Sequence, residues 1–338
     1  MSAPAPSRPR ALHPDLGLLP GDLGERLRRL EGQLRDLALG EGAPPGLDLD
    51  RFLEPGQPRV RPLLVLLSAA AVSAPRVAGE GYPSDVATEH VAVAVELLHG
   101  AVALHDAALG RVEGRRRRAA RRLIGGAMGL LGANHLTLRA LELARLTPAP
   151  EIVGDLVEAM RESAASHALA HQIDGRLPTE AEGLSLAEGH SGALFAFACR
   201  AGARVGGAAR PEITALGRYG RHTGLGWALA EDLASLDGEP DELVRGIEDR
   251  VALHRPPLPV VIANQRDPDV AIVWRRLQRR VDAAGVAELG ERVNRVGGVS
   301  EGRRKLVLET WSARQALRNI PESAPREALD RLASSLVS

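Results

Sequence analysis

A single carboxylate stands close to a cluster of arginines in the stretch from Glu96 to Arg118, ELLHGAVALHDAALGRVEGRRRR. The apolar first half predicts a buried helix, and Asp106 lies near its end. A carboxylate can bind a divalent metal ion, and guanidinium groups bind phosphate oxygens through paired hydrogen bonds. These residue types fit a site that binds a metal and a phosphate. They fit equally a polar helix end beside a solvated basic face.

A second set of ligand-type side chains has helical spacing. His167, His171 and Asp174 stand at positions i, i+4 and i+7 in HALAHQID, so they share one face of a helix. This spacing suits a metal ion. It also suits a cluster of polar side chains that satisfy one another's hydrogen bonds. We expect the polar cluster and keep metal binding as the alternative.

The arginine run Arg115–Arg118, continued by Arg121 and Arg122, could bind RNA or face solvent. A helix with 3.6 residues per turn cannot turn all six side chains toward one ligand. The 43 acidic and 43 basic residues balance, so no overall field attracts nucleic acid. Aromatic residues are only 2% of the chain, which leaves few rings to stack on bases. We therefore predict no nucleic-acid partner.

The composition also predicts where the protein resides. Cys199 is the only cysteine, which argues against a disulfide framework and a thiolate zinc site. Residues 1–20 are rich in proline and alanine and lack the apolar core of a signal peptide, so we predict a disordered tail there. No apolar stretch reaches the ~18 residues needed to cross a membrane. We expect a cytoplasmic protein without a membrane span.

Helix-forming residues dominate nearly the whole chain. Alanine, leucine and arginine are good helix formers, and short breaks rich in glycine, proline and aspartate separate the periodic segments. The pattern predicts one all-α domain over 21–338, with the apolar segment 84–110 buried in a helical bundle. We expect Trp227 and Trp311 to pack against neighbouring helices. The predicted helices are 21–40, 59–74, 84–110, 116–146, 150–174, 186–205, 211–236, 241–252, 257–265, 268–284, 286–296, 299–319 and 322–336.

Six segments stand in an order that is typical of one enzyme family. They are GQPRVRPLLVLLSA (56–69), ELLHGAVALHD (96–106), SGALFAFACRAGA (191–203), YGRHTGLGWALAEDLASLDGE (219–239), RPPLPVVIA (255–263) and the C-terminal stretch 297–333. In this order they resemble the trans-polyprenyl diphosphate synthases. The resemblance covers about residues 20–337 and implies a single large all-α bundle of the isoprenoid synthase type. It also implies a dimer, either with itself or with an intact homologue.

Members of that family carry Asp-Asp-x-x-Asp on each of two facing helices and use Mg²⁺ to neutralise a diphosphate leaving group. By resemblance, Asp106 matches the leading aspartate of the first motif, while Glu231 and Asp232 match the leading pair of the second. Uncharged residues stand at the remaining positions: Ala107, Gly110 and Ser235. The resemblance therefore implies a residual, weak metal site, with Mg²⁺ as a cofactor only if the protein is active.

The resemblance also assigns anion-binding side chains. Those expected to hold a diphosphate are Arg61, His99, Arg115, Arg116 and Arg255. His171, Asp174 and His190 match positions that line the family's pocket. Pro58 and His190 stand where the family has lysines, although the chain uses arginine freely elsewhere. A general preference of this chain for arginine over lysine would have placed arginine at both positions, so it does not explain these two replacements.

These departures favour a homologue of polyprenyl diphosphate synthases, in isoprenoid biosynthesis, that is catalytically impaired. It would act as a regulatory or scaffolding subunit and could still bind a prenyl or isopentenyl diphosphate. The alternative is an active prenyltransferase that condenses isopentenyl diphosphate with an allylic diphosphate at a relaxed metal site. A third possibility is a protein that holds such a diphosphate without turning it over. The sequence decides neither the product chain length nor the choice between a homodimer and a heterodimer.

Overall fold

The computed structural model describes residues 23–38, 59–73, 85–109, 115–173 and 175–337. Within these ranges the secondary structure is helical and contains no strand. The sequence-based prediction of an all-α protein is therefore confirmed. The predicted N-terminal tail, residues 1–20, lies outside the described residues.

The described residues form a series of α-helices. In chain order they are α1 Leu23–Ala38, α2 Val60–Ser73, α3 Asp85–Leu109, α4 Arg115–Arg145, α5 Glu151–Gln172, α6 Glu180–Ala187, α7 Ala193–Val205, α8 Arg210–Ala234, α9 Pro240–Ala252, α10 Leu258–Arg266, α11 Asp269–Arg279, α12 Ala283–Arg295, α13 Gly298–Ala316 and α14 Ala324–Ser334. A π-helical turn, Glu188–Gly192, joins α6 to α7.

Helices α2, α3, α7 and α8 form the centre of the bundle. Helix α3 packs against α2, α4 and α7, and α8 packs against α7 and α13. The predicted burial of the apolar segment 84–110 is confirmed, because Leu97, Leu98 and Leu104 are almost fully buried. The contact between α2 and α7 requires a small residue: a Cβ at Gly202 would lie 2.5 Å from the carbonyl oxygen of Val65. Helices α3 and α8, which carry the candidate acidic residues, both pack against α7.

Helix α6 begins at Glu180, within the stretch DGRLPTEAEG (174–183) where the sequence predicts a break. A capping box starts it: the Thr179 hydroxyl accepts from the Glu182 N–H at 3.3 Å, and the Glu182 carboxylate accepts from the Thr179 N–H at 2.7 Å. The reciprocal hydrogen bonds satisfy amide groups that the first helical turn leaves unpaired. The break predicted at 174–183 is present up to Thr179, but it ends earlier than predicted because the Thr-x-x-Glu signal starts the helix at Glu180.

The two tryptophans with predicted packing roles differ. Trp227 on α8 is 6% exposed, and its ring lies 5.8 Å from that of Phe195. Trp311 on α13 is 57% exposed, so the prediction that it packs against a neighbouring helix is wrong. The exposed indole ring of Trp311 can therefore contact a ligand or a partner.

One segment of α3, Val86–Asp106, is long and apolar enough to cross a membrane by length and composition. This departs from the expectation that no stretch of the chain reaches that length. The bundle buries 72% of the segment's most apolar window. Packing against the neighbouring helices therefore accounts for its apolar character.

Candidate functional site

Asp106, near the end of α3, is paired with two basic side chains. Nε2 of His167 lies 2.7 Å from its Oδ1, and Nη2 of Arg255 donates to the same oxygen at 3.2 Å. Burial alone would raise the pKa of Asp106, but the charge of Arg255 and the hydrogen bond from His167 hold that pKa well below its usual range. Asp106 is therefore an ionised carboxylate whose charge is balanced within the protein.

A tight turn after α9 directs Arg255 toward α3. The N–H of Arg255 donates to the carbonyl of Arg250 at 3.0 Å, and the N–H of His254 donates to the carbonyl of Val251 at 3.1 Å. His254 adopts a φ of 53°, the left-handed conformation that ends many helices and usually selects glycine. The imidazole of His171 on α5 lies 5.9 Å from that of His254. The turn leaves Arg255 only 6% exposed.

The candidate acidic pair on α8 is also partnered within the chain. Nη1 of Arg250 lies 3.0 Å from Oδ1 of Asp232, and the Leu258 N–H donates to Oδ2 of Asp232 at 2.9 Å. The indole N–H of Trp227 donates to Oε1 of Glu231 at 3.1 Å. Burial raises the pKa of Asp232, although the charge of Arg250 and the hydrogen bond from Leu258 oppose the shift. Both oxygens of Asp232 therefore have a partner.

These carboxylates do not fit a preformed Mg²⁺ site. Mg²⁺ requires several oxygen ligands in octahedral geometry. No group of three or more His, Cys, Asp or Glu within the described ranges could hold a metal ion. The hydroxyl of Ser235, at the closing position of the second motif, donates to the carbonyl oxygen of Asp232 at 2.7 Å. A divalent ion that bound the engaged oxygens would first have to displace Arg255 from Asp106 or Arg250 from Asp232.

Arg61, a predicted diphosphate ligand, lies beside an acidic residue of α3. Nη1 of Arg61 is 3.6 Å from Oε2 of Glu96, and Nη1 of Arg59 donates to Oε1 of Glu96 at 2.9 Å. The guanidinium of Arg61 also lies over the ring of Phe195, 5.6 Å from its centre, a cation–π arrangement. The sequence interpretation did not single out Arg59 or Glu96. The sequence does contain a sign of this contact: Glu96 is an acidic residue within a mostly apolar stretch of the predicted helix, so it needs a basic partner.

His190 lies in the π-helical turn, close to the ion pair of Asp106 and Arg255. Burial and the positive charge of Arg255 lower the pKa of His190 well below its usual value, while Asp106 acts in the opposite direction. The imidazole is therefore neutral at pH 7. A neutral group cannot supply the positive charge that a lysine at this position would provide.

The predicted cluster of His167, His171 and Asp174 does not form one ligand set in the structure. His167 contacts Asp106, whereas His171 lies beside His254, so the two do not act as one ligand set. Asp174 and the side chains of Arg115 and Arg116 lie outside what the structure describes. Their predicted roles therefore stay predictions.

Comparisons with known proteins agree with this architecture. The family model described as "Polyprenyl synthetase" matches residues 49–291. A short chain isoprenyl diphosphate synthase from Methanothermobacter thermautotrophicus is 28% identical over 296 residues, which cover 84% of this chain and 87% of that protein. An octaprenyl diphosphate synthase from Escherichia coli is 25% identical over 284 residues, 82% of this chain and 84% of that one.

The fold is also that of a solved structure. A crystal structure of a polyprenyl synthase from Caulobacter crescentus, complexed with calcium and isoprenyl diphosphate, has a TM-score of 0.79 to this chain at 24% identity. The alignment covers 97% of this chain and 99% of that chain. The expected isoprenoid synthase bundle is confirmed.

Proposed function

The chain belongs to the polyprenyl synthetase family, and we propose that it serves isoprenoid biosynthesis as a catalytically impaired subunit. One observation carries the proposal: Asp106 is engaged by Arg255 and His167. An allylic diphosphate ionises only when the charge on its leaving group is neutralised. Here the side chains that would recruit a metal ion for that task are neutralised by basic residues of the same chain. The subunit would regulate or scaffold an intact synthase.

Diphosphate binding can persist without a metal ion. Arg61 and Arg255 keep two largely buried guanidinium groups, and the charges of both act on His190. Charge-assisted, bidentate hydrogen bonds from such groups are strong and geometrically specific. A prenyl or isopentenyl diphosphate would compete with Glu96 and Asp106 for these guanidinium groups. Binding without turnover is consistent with an impaired subunit.

An apolar surface on α4 and α5 supports a dimer. Leu131 and Leu138 are seven residues apart on α4, so they share one face, and each is more than half exposed. Leu146, just after α4, and Val157 on α5 are exposed to a similar degree. Exposed apolar residues in this number favour coverage by another subunit over permanent contact with water. We propose that the partner is a second copy of this chain or an intact homologue.

The comparisons favour a second candidate, an active prenyltransferase. The relatives named above are synthases, and nothing in the comparisons indicates impairment. In this candidate Asp106, Glu231 and Asp232 would hold Mg²⁺, which would neutralise the diphosphate leaving group, and Arg250 and Arg255 would have to release these carboxylates. The protein would then condense isopentenyl diphosphate with an allylic diphosphate. Those relatives range from short-chain to octaprenyl synthases, so they leave the product length open.

An assay of prenyl transfer separates the two candidates. The purified protein is incubated with isopentenyl diphosphate, geranyl or farnesyl diphosphate and Mg²⁺, alone and with an intact homologue from the same genome. The impaired subunit yields no product alone and changes the rate or product length of the homologue. Product formed by the protein alone, and lost in an Asp106→Ala/Asp232→Ala variant, would establish the active enzyme. The double variant is the control for contaminating synthase.

A further inference from the structure

A cavity of about 600 Å³ opens between the first half of α8 and the second half of α13. None of the candidate metal-binding or diphosphate-binding residues lines it. Arg218 lines the cavity, and Asp232 lies fourteen residues further along α8, which is roughly 20 Å at 1.5 Å per residue. The cavity is therefore a separate feature of the fold. Its volume is in the range that small-molecule sites occupy.

One wall of the cavity carries positive charge that the structure does not neutralise. Arg210, Thr214, Arg218 and His222 recur at every fourth residue of α8 and line this wall. Neither Arg210 nor Arg218 has a side-chain hydrogen bond or ion pair with any residue that the structure describes. None of the lining residues is acidic. The cavity thus presents two available guanidinium groups.

Neighbouring basic side chains differ from these two. Arg204 donates to Asp155 at 2.7 Å, and Arg221 donates to Glu162 at 2.9 Å. His222 lies 2.7 Å from Glu309 through its Nδ1. Because carboxylates are close enough to pair with these three groups, the unpaired state of Arg210 and Arg218 does not reflect a general lack of acids.

The opposite wall supplies an aromatic face and neutral polar groups. Trp311 lines the cavity and is 57% exposed, whereas Trp227 and Trp274 are 6% and 1% exposed. The same wall adds the hydroxyl of Ser312 and the amides of Gln315 and Asn319. A purely hydrocarbon ligand would leave these polar groups without partners, which is costly. A ligand with a ring and several hydrogen-bonding groups would satisfy them.

We propose that this cavity binds a nucleoside monophosphate. Arg210 and Arg218 hold the phosphate through charge-assisted hydrogen bonds. The base stacks on the indole of Trp311, and the neutral polar side chains meet the sugar hydroxyls and the ring nitrogens. The site uses none of the residues assigned to diphosphate binding around Asp106. Its existence therefore does not depend on whether that pocket is active.

Tryptophan fluorescence tests the proposal with adenosine monophosphate as the probe. The chain has three tryptophans, and only Trp311 is in contact with solvent to a large extent, so stacking should quench its emission selectively. Calorimetry measures the affinity independently. We expect Trp311→Phe to remove the quenching. We expect Arg210→Gln and Arg218→Gln each to weaken binding about tenfold, which corresponds to ~1.4 kcal/mol.

Matched controls and alternative ligands define what would overturn the assignment. Arg279→Gln alters an exposed arginine on α11, outside the cavity, and should bind adenosine monophosphate like the original protein. Adenosine and inorganic phosphate, tested separately, should each bind at least about tenfold more weakly. The proposal fails if no heat or quenching appears at ~10 mM probe, a concentration that detects even weak binding. It also fails if the arginine variants bind normally, if adenosine binds as tightly, or if geranyl monophosphate binds more tightly.

Discussion

Nη2 of Arg255 donates to Oδ1 of Asp106 across 3.2 Å, and the two residues are 149 positions apart in the chain. The contact joins the turn after α9 to the end of α3. It places a side-chain cation against the carboxylate that would otherwise lead a metal-binding motif. Both side chains are almost buried, at 7% and 10% exposure. The ion pair therefore affects the free energy of unfolding as well as the chemistry of the site.

Removal of one member of this pair should destabilise the protein more than removal of both. Arg255→Met leaves Asp106 buried with His167 as its remaining partner, and we expect a loss of about 3 kcal/mol in the free energy of unfolding. The Asp106→Asn/Arg255→Met double variant removes both charges and should recover much of that loss. Urea denaturation of the three variants and the original protein completes a double-mutant cycle. Additive losses would show that the two side chains do not interact.

Divalent metal binding should be weak in the free protein and should respond to the arginines. We expect calorimetry to give an Mg²⁺ affinity no tighter than about millimolar, because each candidate carboxylate already has a partner. Arg255→Gln should tighten it several-fold by releasing Asp106. Arg279→Gln, far from the site in sequence and exposed, should leave it unchanged. Stoichiometric Mg²⁺ binding at micromolar concentration by the original protein would contradict the neutralised site and favour the active enzyme.

Stability should fall in mildly acidic solution because of His190. Its folded-state pKa is lowered by burial and by Arg255, whereas an unfolded histidine titrates near ~6.5. Below that pH the unfolded state binds more protons than the folded state, so the free energy of unfolding decreases as pH drops. We expect His190→Asn to show a shallower decrease between about pH 6.5 and 5 than the original protein. Equal slopes in urea denaturation series would show that His190 is not the group responsible.

Helical periodicity sufficed to predict the bundle because burial and helix propensity point to the same elements. Segment 84–110 is apolar on most faces, and it does form a buried helix, Asp85–Leu109. The break predicted at 174–183 ends early, at Thr179, because a short capping signal, Thr179 with Glu182, starts a helix there. The apolar periodicity thus predicts the buried helix α3, whereas a single capping contact sets the start of α6.

The pairing of the site residues was not predictable in the same way. The sequence interpretation grouped Arg255 with the diphosphate ligands. The orientation of the Arg255 side chain toward Asp106 depends on the left-handed backbone conformation of His254. Histidine is not the residue that normally signals such a turn. Contacts across long separations, such as Asp106 with His167, also leave no periodic signal in the sequence. The cytoplasmic location and the roles of Arg115, Arg116 and Asp174 stay predictions.

Diphosphate should stabilise the protein without a metal ion. Inorganic diphosphate or isopentenyl diphosphate can form charge-assisted hydrogen bonds with Arg61 and Arg255, and we expect either anion to raise the melting temperature in the presence of a chelator. Arg61→Ala should weaken binding by about 1.5–3 kcal/mol for each charged hydrogen bond lost, and Arg116→Ala should do the same if its predicted role holds. Arg279→Ala is the matched control for a general change in charge. The stabilisation should shrink at high salt, because ions screen the attraction. If neither anion shifts the melting curve at about 10 mM and low salt, Arg61 serves only its contact with Glu96 and the pocket has lost its ligand.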